Sequence, residues 1–62
     1  MNSEADTKRM ILAMAITTEV EAMKIMNIER IHSGRSPAYG EVEFWNRAEQ
    51  LRNLAAVHPD EL

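Results

Sequence analysis

The chain has 62 residues, ten acidic against seven basic for a formal net charge of -3, and no cysteine. That bounds it to one small domain, excludes disulfides and thiolate metal sites, and argues against duplex nucleic acid as a partner. A chain this short buries only about 60% of the surface its unfolded form exposes, so support from association is expected.

The N-terminal MNSEADTKR is too polar and acidic for a signal peptide, and the longest apolar run, Met10 to Ile16, is too short to span a membrane. With cysteine absent, a cytoplasmic location and no membrane partner are expected. The C-terminal PDEL resembles an ER-retention tail, which without a signal peptide reads as coincidence.

Ser3 with Asp6 approximates a capping box, and no Pro or Gly follows until Gly34. The pattern predicts a first helix over about 4–33, a rod roughly 45 Å long. Leu12, Ile16, Val20, Met23 and Ile31 form one apolar stripe. Met10, Met14, Ile25 and Ile28 form a second, more than a quarter turn away, and Ile11, Ala15, Ala22 and Met26 widen it. No single partner helix covers both stripes, so a homo-oligomer is expected, most simply a dimer forming a four-helix bundle. Leu12, Ile16, Val20, Met23, Asn27, Ile31 and Trp45 are the candidate interface residues. Asn27 interrupts the first stripe, where a polar residue can fix register and oligomer state.

Glu29 and His32 form Glu-x-x-His in the last turn of this helix. In ferritin-like carboxylate proteins that spacing supplies two metal ligands, and Glu19, Glu21, Glu43 or Glu49 could complete such a set across a dimer. A His at a helix C-terminus also suits the negative end of the helix without any metal. The latter explanation is preferred, and no metal or cofactor is assigned.

The loop predicted at 34–36 sits in IHSGRSPAYGE. Gly34 suits the left-handed position after a helix. Ser36 reads as an N-cap and Pro37 as the first position of a second helix over about 37–58, ended by Pro59. Phe44, Ala48, Leu51, Leu54 and Ala55 make its apolar stripe, flanked by Val42, Trp45 and Ala56. The expected fold is therefore all-α, one antiparallel two-helix hairpin over 1–62. Ser33, Arg35, Ser36 and Tyr39 are candidate ligand-binding residues. Arg35 offers a planar fork for phosphate, Ser33 and Ser36 offer hydroxyls, and Tyr39 a ring for stacking, beside free helix N–H groups. Ordinary cap and turn chemistry accounts for the same residues.

The segment GRSPAYGEVEFWNRAEQL resembles the helical hairpin domain of phage proteins that sequester cyclic-nucleotide immune signals, the anti-CBASS and anti-Thoeris sponges. Arg35 matches the loop Arg of that hairpin, and Trp45 with Asn46 its helix pair. Ser36 and Pro37 stand where the hairpin continues with Glu. The resemblance implies a non-enzymatic oligomer holding an anionic nucleotide between subunits. The alternatives are a protein-interaction module or inhibitor of a host protein acting through the Met-rich first helix, and a metal-binding helical assembly.

Overall fold

A computed structural model describes residues 3–62. It is a helical hairpin: α1 spans Glu4–His32, α2 spans Glu41–Ala56, and a 3-10 turn, Pro59–Glu61, follows. There is no strand among the described residues, and none of their helices is long and apolar enough to cross a membrane.

Helix α1 opens with the expected capping box. Ser3 Oγ accepts from the Asp6 N–H at 3.1 Å, and Asp6 Oδ2 accepts from the Ser3 N–H at 3.3 Å. The helix closes at Ser33, and Gly34 follows with φ of 79°. The Arg35 N–H donates to the Arg30 carbonyl at 2.8 Å and the Gly34 N–H to the Ile31 carbonyl at 3.0 Å. This is the Schellman arrangement, which satisfies carbonyls the helix would otherwise leave open.

Helix α2 starts later than the sequence suggests, at Glu41 rather than near Pro37, and ends at Ala56 with Val57 as its C-cap. A start at Pro37 would place Gly40 inside the first turn, at a cost of about 1 kcal/mol against Ala. Instead Gly40 is the N-cap, and its N–H donates to Glu43 Oε2 at 2.9 Å. The end is set by Pro59, which holds His58 extended at φ -66° and ψ 141°. The chain then turns, and Lys8 Nζ of α1 donates to the Leu62 carbonyl.

Three polar links fix the pairing of the helices. Arg9 donates to the carbonyls of Ala55 and Val57, Glu19 pairs with Arg47, and Asn27 bonds the backbone of Tyr39. The residue numbers in each pair sum to between 64 and 66, an antiparallel register without slip. Ala13, Ile16, Val20 and Met23 of α1 lie on the same side as Arg9 and Asn27, and with Phe44, Ala48, Leu51 and Leu54 of α2 they are the less exposed residues. Met23 alone is buried among the described residues, at 3%.

Four of the expected interface residues fall inside the hairpin. Ile16, Val20, Met23 and Asn27 form the seam between the two helices of one chain, because α2 covers the stripe on which they lie. Leu12 and Ile31 sit on its margins, exposed, and Trp45 points away from it at 63% exposure. The hairpin measures 49 × 18 × 13 Å, one helix pair thick. Its accessible surface is 4936 Å², against about 4,100 Å² for a compact monomer of this mass.

Candidate functional site

Two places on this rod carry unusual features: the connecting loop and the far side of α1. The loop is held from α1 by two polar side chains. Asn27 Nδ2 donates to the Tyr39 carbonyl at 2.9 Å, and the Tyr39 N–H donates back to Asn27 Oδ1 at 2.9 Å. One turn further on, Arg30 Nε donates to the Ser36 carbonyl at 2.8 Å. Both residues project on the seam side of α1 at a level where α2 has not yet begun. They reach the connecting backbone instead, and satisfy its polar groups as a ladder would. Asn27 therefore closes the loop within one chain.

Of the four loop residues singled out in the sequence, Ser36 does not take the expected cap role. Ser33 is the C-cap of α1 and its Oγ donates to the Arg30 carbonyl at 3.0 Å. Ser36 caps no helix, since the N-cap of α2 is Gly40. Tyr39 is half-buried, and its backbone is clamped by Asn27. Arg35 is exposed, and its side chain has no hydrogen-bond or ion-pair partner among the described residues. The first turn of α2 carries Glu41 and Glu43, whose carboxylates already stand at its positive end. The free guanidinium of Arg35 is thus separated in sequence from the helix end by residues 36–40. The sequence pattern does not single out Arg30, and it does not show that Asn27 reaches the loop. The available signal was the Gly-x-x-Glu of Gly40 to Glu43, which marks the later helix start and leaves a longer loop to be tied down.

Glu29 and His32 are exposed in the last turn of α1. No group of three potential ligands gathers around them or elsewhere among the described residues. A metal site using them needs ligands from another chain.

The far side of α1 is the larger feature. Met10 is 52% exposed, Ile11 59%, Met14 63%, Ile25 56% and Ile28 54%. At 100° per residue their mean direction lies about 150° around the helix from the seam. They form two clusters, one near each end, separated by Thr17, Thr18 and Glu21. The threonine hydroxyls donate to the carbonyls of Ala13 and Met14 at 2.9 and 2.8 Å, so they need no solvent partner. Glu21 is paired to Lys24 at 3.1 Å. Large side chains exposed in such a row are unusual for a soluble monomer. Comparisons with protein-family models, curated proteins and solved structures found no match to the chain.

Proposed function

We propose that the protein is a non-enzymatic association module. It acts by presenting the far side of α1 to another protein surface, in the first place another copy of itself. One observation carries this: Met10, Ile11, Met14, Ile25 and Ile28 stand in a row, each more than half exposed, on a helix whose opposite side is already covered. Helix α2 and its polar links keep α1 straight and folded. The methionines make the surface adaptable to more than one mate. Sedimentation across the micromolar range tests the reading. The parent is expected to sediment as a dimer or larger species. Met14→Glu is expected to be monomeric with unchanged helicity, because the charge enters the far side and not the seam. A monomeric parent removes the reading.

A second reading keeps the loop as a grip for a phosphate-bearing, cyclic nucleotide-like ligand. Its support is the exposed Arg35 guanidinium, which no group of the described chain occupies. Calorimetric titration with cyclic and linear nucleotides tests it. Heat that disappears in Arg35→Ala supports it, and no heat with any of them ends it.

A further inference from the structure

We infer that the mate of the far side of α1 is a second copy packed antiparallel, with a twofold axis crossing that side at the axial level of residues 19 and 20. The inference rests on the association reading and adds to it a register and an orientation.

The first argument is the symmetry of the residue pattern. A twofold antiparallel pair of helices sets residue i of one copy beside residue j of the other, with i + j constant. On the far side, Met10 with Ile28 gives 38, Met14 with Ile25 gives 39, Ile11 with Ile28 gives 39, and Thr17 or Thr18 with Glu21 gives 38 or 39. One register therefore sets each apolar cluster of one copy onto the other cluster of its mate. The threonines and Glu21 fall together at the centre. A parallel pair would instead place Glu21 directly beside Glu21. The antiparallel pair staggers the two carboxylates by about 5 Å along the axis, and each keeps its own Lys24.

The helix dipoles favour the same orientation. Antiparallel packing opposes the two helix dipoles, whereas parallel packing would align them.

The area sets the strength. Five Met and Ile side chains at these exposures offer roughly 500 Å² per copy, so a symmetric pair buries ~1,000 Å², the lower bound for a specific interface. Such a dimer belongs in the micromolar range. Its two loops lie at opposite ends, so it brings no second Arg35 to the first.

Because the chain has no cysteine, single thiols report the geometry directly. Met14→Cys and Ile25→Cys are made separately, checked by sedimentation, and oxidised alone and mixed in equal amounts. The antiparallel register predicts that the mixture gives a disulfide-linked heterodimer, identified by mass, far in excess of either homodimer. In this register two Met14 positions lie about 16 Å apart, well beyond disulfide reach. Met10→Cys with Ile28→Cys should behave in the same way. Three results overturn the inference. Homodimers of Met14→Cys as the main product would show a parallel pair. A dimer that neither pair cross-links would place the contact on another surface. A parent monomeric at every concentration would remove the association reading as well, and sedimentation separates that outcome from the other two.

Discussion

Replacing Asn27 separates two roles that its position on α1 allows. In the hairpin, Asn27 makes both bonds to the Tyr39 backbone, each at 2.9 Å. Asn27→Leu keeps much of the volume and removes both bonds, leaving a half-buried N–H and carbonyl without partners. Each such group costs about 1 kcal/mol at partial exposure, so the pair amounts to roughly 2 kcal/mol. The whole chain has about 3–9 kcal/mol of stability at ordinary values per residue. For a domain of this size 1 kcal/mol moves the midpoint by about 4–8 °C, so a fall of roughly 8–16 °C is expected. Asn27→Asp should not rescue it, because a carboxylate keeps the acceptor for the Tyr39 N–H but repels the Tyr39 carbonyl. Asn46→Ala, on the exposed outer side of α2, is the control and should change little. Thermal unfolding followed by circular dichroism at one fixed protein concentration gives the comparison. If Asn27 instead sat at a seam between chains, Leu would raise the midpoint and alter the oligomer. A midpoint for Asn27→Leu at or above the parent's would refute the clamp.

Arg9→Met retains the apolar stem and loses the bonds to Ala55 and Val57 at 3.2 and 2.7 Å, so the last turn of α2 should exchange its amides faster. The loss should be about 1–2 kcal/mol, below the sum for two charged hydrogen bonds, because Arg9 Nε is buried without a partner and its desolvation is relieved. Arg9→Lys should not restore it, since a single ammonium lacks the fork that spans both carbonyls. Gly34→Ala should destabilise by about 1 kcal/mol through φ alone, as a Cβ there meets nothing within 4 Å. A neutral result in chemical denaturation would contradict the Schellman assignment.

Features set by local chemistry were legible in the sequence. The Ser3–Asp6 box, Gly34 as the left-handed residue and Pro59 as a stop all depend on groups a few residues apart, and each is found where expected. The start of α2 was misplaced because Ser36-Pro37 and Gly40-x-x-Glu43 are competing local signals. What decides between them is non-local: Arg30 and Asn27 hold residues 36 and 39 from the other helix. The two stripes of α1 were legible as well, but not which of them α2 would take. That choice is made by the polar links of Arg9 and Asn27, which lie on one stripe and find backbone partners only when that stripe is covered. The later start of α2 then removed the helix end from the neighbourhood of Arg35. The expected loop site depends on that adjacency.

The proposed association would couple to folding, because the seam buries Met23 alone among the described residues. A mate that binds only the folded form adds about 2.7 kcal/mol when present at a hundredfold its dissociation constant, comparable to the lower end of the stability expected for the chain alone. The seam and the far side can therefore be told apart by how the midpoint depends on concentration. Met23→Ala removes the buried side chain and should cost about 2–5 kcal/mol in dilute and concentrated samples alike. Met14→Glu, at a site 63% exposed in the single chain, should match the parent at high dilution and fall progressively below it as concentration rises. Unfolding curves over three decades of concentration give both slopes. If Met14→Glu lowered the midpoint equally at all concentrations, Met14 would belong to the seam, and the placement of the two stripes would be wrong.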